Sequence, residues 1–137
     1  MKITEVKAWN LDIPYAVEYR PAWQPGLVRR SRDFTLVRVS TDAGIVGYAG
    51  SDSQHAGAIA ARAAPYLVGE EVFATERHAR VLRHAGGLWF MDVAFWDIIG
   101  KAAGLPLYRL WGSFREKVPA YASTAELGTP GDRAELA

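Results

Sequence analysis

The run from Leu88 to Ala103 is apolar nearly all round a helix. At about 100° per residue, Asp97 and Lys101 form one polar patch, Asp92 stands apart from it, and the other positions are apolar or glycine. Helices of this kind are buried on most sides. The run therefore predicts a central helix. We expect something further to pack against it besides a small sheet and two modest helices, although an ordinary central helix of an α+β domain fits the periodicity equally well.

The composition allows such a helix to be buried. Half of the 137 residues are apolar and five are Trp, which excludes a disordered polar chain. Sixteen Lys and Arg against fifteen Asp and Glu leave a net charge of +1, so no overall field favours nucleic acid or an anionic membrane. The lack of cysteine excludes a disulfide framework, and the charged start of the chain is unlike a signal peptide. We expect a cytoplasmic protein.

The first half of the chain predicts three strands. Alternating polarity over residues 7–13 is typical of a half-buried strand, which Pro14 is expected to end. Residues 14–33, with three prolines, three aromatic residues and four arginines, predict a long loop. Two more strands, 34–41 and 45–50, are expected to form a hairpin with Gly44 in the left-handed region of its turn.

The second half predicts helices. Ser51 and Gln54 have the spacing of a capping box before an alanine-rich helix over 56–64, which Pro65 is expected to end. Further predictions are a helix over 75–84 stopped by Gly86-Gly87, a helical turn over 107–111, a strand over 118–123 and a helix begun by Thr129-Pro130 over 132–137. Because the sequence stops one turn into that last helix, we expect a piece of a longer chain.

The motifs of common catalytic sites are missing. The sequence contains no G-x-S-x-G elbow, no complete P-loop and no H-E-x-x-H, and the spacing Gly44-x-x-Gly47-x-x-Gly50 indicates structural glycines. His78 and His84 lie six positions apart, on different faces of a helix, so they cannot share a metal ion and are expected to be exposed. No catalytic and no metal-ligating residue is therefore predicted in this chain.

Two strings resemble the mandelate racemase and muconate lactonizing enzyme branch of the enolase superfamily. Residues 94–112, A-F-W-D-I-I-G-K-A-A-G-L-P-L-Y-R-L-W-G, are similar to the family segment A-x-W-D-x-x-G-K-x-x-G-x-P-x-x-x-L-x-G. Residues 37–47, V-R-V-S-T-D-A-G-I-V-G, resemble its hairpin, and residues 118–123 resemble the first strand of its barrel. The departure at Trp111-Gly112-Ser113, where many members have Leu-Gly-Gly, is mild.

The resemblance implies an α+β fold. An antiparallel three-stranded meander followed by a helical bundle would form an N-terminal capping domain over residues 1–112. Residues 113–137 would be the first strand and the start of the first helix of a truncated (β/α) barrel. Asp97 and Lys101 would then be a structural pair at i, i+4.

The implied activity belongs to the barrel. Enzymes of this family use Mg²⁺ and a lysine or histidine base to remove the proton α to a carboxylate, as racemases, dehydratases or cycloisomerases. Their metal ligands and bases would lie beyond Ala137, so this chain itself would bind no Mg²⁺. The expected partners are the remainder of the barrel, a small carboxylate substrate and further copies in a homo-oligomer, with no nucleic acid and no membrane.

By position, residues 14–33 and 50–55 match the loops that cover the barrel mouth in this family. Arginines 20, 29, 30 and 32 would suit an acidic substrate, with a solvated basic loop as the alternative, and the aromatic residues would line a pocket or pin the loop. The expected substrate contacts are Tyr15, Tyr19, Arg20, Trp23, Arg29, Gln54, His55 and Ser123. The alternative function is a non-catalytic α+β domain that binds a partner through its barrel-facing surface.

Overall fold

The computed structural model describes residues 1–53, 55–86 and 89–121. Its three strands form one antiparallel sheet in the order β1-β2-β3, and the helices follow the sheet in the chain. This arrangement confirms the predicted α+β meander with a helical bundle. The elements are β1 (Ile3–Tyr19), β2 (Arg29–Thr41), β3 (Val46–Ser51), α1 (Ala56–Leu67), α2 (Thr75–Ala85), α3 (Trp89–Ala103) and α4 (Leu107–Leu110).

The chain divides into two compact units. The first comprises Met1–Leu11 and Asp33–Phe114, and it contains the described helices. The second comprises Asp12–Arg32 and the segment that begins at Arg115. In the second unit, the end of β1 and the start of β2 are joined by a turn in which Gln24 and Leu27 donate backbone hydrogen bonds to Pro21 and Gln24. We call residues 12–32 the hairpin arm.

The hairpin of β2 and β3 forms as predicted. Val37 pairs with Ala49 and Val39 with Gly47, and the alternate residues of β2 from Thr35 to Thr41 are buried. Gly44 closes the turn at φ +76°, a conformation that favours glycine, and its N–H donates to the carbonyl of Thr41 over 3.1 Å.

Helix α3 lies on the sheet and buries its apolar side. Phe90, Met91, Ala94, Phe95 and Ile98 are each at most 3% exposed. A Cβ atom on Gly47 would overlap the carbonyl oxygen of Ala94, so the glycine is what lets β3 approach the helix this closely. The predicted central helix is therefore confirmed, and Gly47 is structural.

The polar patch of α3 is bonded to the outer edge of β3. The backbone N–H of Tyr48 donates to Asp97 Oδ2 over 3.0 Å, and Lys101 Nζ donates both to the same oxygen and to the carbonyl of Val46, each over 2.7 Å. Since β3 is an edge strand, these backbone groups have no strand partner there. The structural role expected of Asp97 and Lys101 is confirmed, and we call this contact, with Gly47 and Ala94, the helix–strand clamp.

The end of α3 explains the rest of its motif. Gly104 has φ +63°, and Leu105 donates a backbone hydrogen bond to the carbonyl of Gly100 over 3.1 Å, as at a glycine-terminated helix. A Cβ atom on Gly100 would lie 3.1 Å from Leu107 Cδ2, so this glycine lets α4 fold back onto α3.

Two prolines do not end the elements that they were expected to end. Strand β1 passes Pro14 and runs to Tyr19, so the loop predicted over 14–33 is the hairpin arm instead. β1 is an edge strand, where a proline without N–H is tolerated on the outer side. Pro65 lies in the last turn of α1, where it removes only one hydrogen bond, and Val68 N–H still bonds to the carbonyl of Ala64 over 3.0 Å.

The predicted capping box is wrong. Ser51 is the last residue of β3, and its Oγ accepts a hydrogen bond from the backbone N–H of Ser53 over 3.1 Å, before the helix begins. The N-cap position of α1 belongs to His55, whose side chain makes no capping hydrogen bond. Gln54 lies outside the described residues.

His78 is buried, contrary to the exposure expected for it. Its ring packs on Phe95 with centroids 4.8 Å apart, and Nε2 donates to the carbonyl of Glu71 over 2.8 Å. The face that α2 turns to α3 could not be assigned before both helices were placed. Burial is the main cause that lowers the pKa of His78 from 6.5, and Nδ1 has no hydrogen-bond partner in the described part of the chain.

The segment after α4 contains no strand as far as residue 121. Val118 and Tyr121 are exposed, and residues 118–121 lack the backbone partners that define a strand. Positions 122–123 of the predicted strand, and the helix predicted over 132–137, lie outside the described residues. The domain boundaries at 1–112 and 113–137 stay a prediction.

Replacing Gly47 by Ala should lower the free energy of unfolding by about 1 to 3 kcal/mol, because the added methyl group meets backbone rather than a movable side chain. The measurement is urea unfolding followed by circular dichroism. Gly57→Ala is the matched control, since its Cβ would lie 2.9 Å from a side-chain atom, Asn10 Oδ1, rather than from backbone, and alanine favours a helix. Equal stability of Gly47→Ala and the unaltered protein would contradict the clamp.

His78 should make the protein less stable in acid. Because its folded pKa lies below the unfolded value, the unfolded state binds the proton first, and stability is lost as pH falls below about 6.5. Urea unfolding from about pH 7.5 to about pH 5 should show a steeper loss for the unaltered protein than for His78→Gln. His84→Gln, on the exposed side of α2, should leave the loss unchanged. The same slope in all three proteins would refute this assignment.

Candidate functional site

One face of the hairpin arm is apolar, and its side chains range from half-buried to exposed. Since side chains alternate along a strand, residues 13, 15, 17 and 19 share that face, and Val17 is 80% exposed. The rings of Tyr15 and Tyr19 have centroids 5.7 Å apart, and the ring of Trp23 follows 6.2 Å from Tyr19. We call these three side chains the aromatic row. The structure thus brings together three of the residues that the sequence predicted as substrate contacts.

The charges of the arm are arranged around Glu18. Arg20 Nη2 donates to Glu18 Oε2 and Arg30 Nε donates to Glu18 Oε1, each over 3.0 Å. These hydrogen bonds, that of Arg30 first, lower the pKa of the Glu18 carboxyl below its ordinary 4.5. The group is exposed to solvent, so salt weakens the attraction. Arg20 and Arg30 are therefore already partnered by a carboxylate.

Arg29 differs from these two arginines. It is the first residue of β2, its side chain is exposed, and it makes neither an ion pair nor a hydrogen bond with the described residues. Arg32, by contrast, takes part in an interaction of its own. Arg29 therefore has a guanidinium group with five donors to offer to an anion.

The second predicted lid segment, residues 50–55, belongs to the first unit. Buried Thr35 fixes it, since Thr35 Oγ1 lies 3.1 Å from the carbonyl of Ser53 and donates to it, and 2.9 Å from Asn10 Oδ1. His55 follows and is exposed. Gln54 and Ser123, the two remaining predicted contacts, lie outside the described residues.

Sequence reasoning missed Glu18 and Thr35. Glu18 is the only acid in a stretch, residues 13–32, that holds four arginines, which was a usable signal for an ion pair. Thr35 carried no signal, because its hydroxyl is fixed by residues 25 and 18 positions away.

A third feature is an apolar face formed by α3, α4 and β3. An open groove of about 670 Å³ runs along it, floored by Gly100 and Leu107. The rings of Trp96 and Trp111 meet edge to face at 5.3 Å. Large apolar side chains remain exposed there, with Tyr48 47%, Val93 49%, Leu105 40%, Tyr108 43% and Trp111 60% accessible. We call this surface the α3–α4 face.

Within the described ranges, no three His, Asp or Glu side chains converge as a metal site would require. No helix among the described residues is long and apolar enough to cross a membrane.

The fold and the two glycine-dependent motifs define an α+β domain whose first two strands extend into the hairpin arm. The family described as Mandelate racemase / muconate lactonizing enzyme, N-terminal domain, matches residues 16–112. The chain therefore belongs to this N-terminal domain family of the enolase superfamily.

Several relatives are dehydratases. The chain is 34% identical to cis-3-hydroxy-L-proline dehydratase of Roseibium aggregatum over 127 residues, which cover 82% of this chain and 34% of that protein. It is also 34% identical to D-galactonate dehydratase of Verminephrobacter eiseniae over 137 residues, 88% of this chain and 31% of the relative. The chain thus spans about a third of the length of these relatives.

Solved structures agree with this assignment. A mandelate racemase/muconate lactonizing enzyme of Roseovarius nubinhibens has a TM-score of 0.78 and 28% identity, covering 98% of this chain and 41% of its own. An enolase superfamily member from the same organism, solved with magnesium, has a TM-score of 0.67 and 29% identity, covering 81% of this chain and 33% of its own.

Replacing Arg30 by Ala should raise the pKa of Glu18 towards 4.5, because Arg30 contributes most to its lowering, and Arg20→Ala should raise it less. Side-chain carboxyl chemical shifts followed by NMR during an acid titration measure this pKa directly. Arg29→Ala is the control and should leave it unchanged. A Glu18 pKa unaffected by either partner's removal would show that the arm does not hold this charge cluster.

Proposed function

We propose that this chain is the substrate-capping domain of a Mg²⁺-dependent enzyme that removes the proton α to the carboxylate of a small acid. The observation that carries the proposal is the hairpin arm, on which Trp23 is 63% exposed beside the half-buried Tyr15 and Tyr19, and whose Arg29 has no carboxylate partner among the described residues. Membership of the family supports the enzyme class, and the dehydratase relatives favour loss of water as the overall reaction.

The α3–α4 face is proposed to seat the barrel. It exposes five large apolar side chains, and a patch of this kind on a protein surface is typical of an interaction site. The relatives are about three times as long as this chain, which supports a barrel domain as the partner that would cover this face. The further packing expected against α3 from the sequence would be this contact. The alternative of a non-catalytic interaction domain is not favoured.

Arg29 is the arm residue that we assign to the substrate carboxylate. Guanidinium binds carboxylate through two parallel hydrogen bonds, and Arg29 need not leave an existing partner to do so. Arg20 would be a positioning residue, because Glu18 holds it. Tyr15, Tyr19 and Trp23 would supply the apolar wall that excludes water from the closed site.

The remaining contacts stay predictions. His55, Gln54 and Ser123 stay predicted substrate contacts. The ligands of Mg²⁺ would come from the barrel, and the bound ion would supply electrostatic stabilisation of the negative charge that proton removal creates. A cytoplasmic location, a homo-oligomer and the absence of nucleic-acid or membrane partners also remain as predicted from the sequence.

In the full-length enzyme, Arg29→Ala should reduce kcat/KM for an anionic substrate about tenfold to 150-fold, the effect of losing one charge-assisted hydrogen bond. Steady-state kinetics with the carboxylate substrate measures the loss.

Arg83→Ala is the matched control, since it removes an exposed, unpaired arginine from α2 and should change kcat/KM by less than about twofold. Arg30→Ala should have a smaller effect than Arg29→Ala, because Arg30 is held by Glu18. Unchanged kinetics for Arg29→Ala would show that Arg29 does not bind the substrate, and would favour the alternative that the arm is a solvated basic hairpin.

A further inference from the structure

A second concave site lies between α1 and α2. It is a cavity of about 330 Å³ lined by Arg62 and Tyr66 from α1 and by Arg80, Val81, His84 and Ala85 from α2. Each helix contributes residues one turn apart, so the cavity follows the groove between the two helices. Its volume falls at the lower end of the range of small-molecule sites, about 300 to 1,000 Å³.

The charges at this groove are of one sign. Neither Arg62 nor Arg80 has an ion pair or a side-chain hydrogen bond to the described residues, and none of the described residues that line the cavity is acidic. Glu76, one turn before Arg80 on α2, forms no ion pair with it. Since the whole chain carries a net charge of only +1, this concentration of cations is local.

Helix stabilisation does not account for both arginines. Basic residues in the last turn of a helix interact favourably with its dipole, and this explains Arg83 and His84 at the end of α2. Arg62 lies in the middle of α1, where it is the only charged residue of an otherwise alanine-rich helix. Arg80 lies in the middle of α2. The two arginines lie on opposite sides of one groove, and neither has an ion-pair partner among the described residues.

The groove also offers apolar residues and a further polar group. Val81 and Ala85 are the least exposed residues of its lining, and the Tyr66 side chain, which also lines it, is exposed. His84 Nδ1 lies 2.8 Å from the carbonyl of Arg80. A carbonyl oxygen only accepts, so Nδ1 carries the proton in this contact and Nε2 is left for a ligand.

We propose that the α1–α2 groove binds a small organic carboxylate with an apolar body, such as an aromatic acid. Arg62 and Arg80 would hold the carboxylate from opposite sides, while Val81, Ala85 and the Tyr66 ring would contact the body. This proposal goes beyond the capping function and does not depend on it, because it uses none of the residues assigned to the arm or to the α3–α4 face.

The test is an NMR titration of the full-length protein with sodium benzoate, following the Nε–Hε signals of Arg62, Arg80 and Arg83. Benzoate should shift the first two along one saturable curve and leave Arg83 in place. Benzamide, which has the same ring without the charge, should shift none of them. Arg62→Ala and Arg80→Ala should each weaken binding about tenfold or more, and Arg83→Ala less than about twofold.

Arg62→Lys and Arg80→Lys keep the charge but lose the forked donors, so they should weaken binding by an intermediate factor. Three results would overturn the proposal. Inorganic phosphate that shifts all three arginines as strongly as benzoate would indicate an adventitious ion only. Shifts that depend on protein concentration without ligand would indicate a contact between copies. Absence of any saturable shift with benzoate would show that the groove is not a carboxylate site.

Discussion

The contact of α3 with the outer edge of β3 is the constraint on which the first unit depends. An edge strand exposes backbone donors and acceptors that either meet water or invite another strand. Asp97 and Lys101 occupy these groups at Tyr48 and Val46, and the missing side chain of Gly47 lets the helix come close enough to reach them. One helix thus closes the sheet edge and fills the core beneath it.

This clamp fixes which sides of α3 remain available. The sheet takes the side that carries Ala94 and Ile98, and α2 takes the side that carries Phe95, where His78 is buried. The side that carries Val93 and Trp96 is left partly exposed, together with α4. A helix that is apolar nearly all round fits a domain that packs against a second domain. Membership of an N-terminal domain family gives a reason for such a second domain.

Much of the fold was predictable because its signals are local. Gly44 marks its turn by itself, and the spacing of Asp97 and Lys101 indicates a pair on one helix turn. The errors arose where the meaning of a residue depends on distant parts of the chain. A proline such as Pro14 would end an inner strand, but β1 is an edge strand and continues past it. The exposure of His78 depends on which face of α2 meets α3.

The candidate site was predictable only as a set of residue types. Aromatic and arginine residues in positions 14–33 indicated a binding segment, but strand pairing decides their grouping. The pairing of β1 with β2 brings Glu18 to Arg30, twelve residues away, and so separates Arg29 from the arginines that already have a partner. The alternation along β1 in turn collects Tyr15 and Tyr19 on one face, with Trp23 at its end.

Amide hydrogen exchange of the full-length enzyme, with and without a bound carboxylate substrate analogue, tests the capping account most directly. The account predicts slower exchange in the hairpin arm when the analogue is bound, because closure over the ligand restricts local opening there. Exchange at Val37 and Val39, which are fully buried in the sheet, should stay the same. An analogue that binds at saturation while exchange throughout residues 12–32 is unchanged would contradict a lid role for the arm.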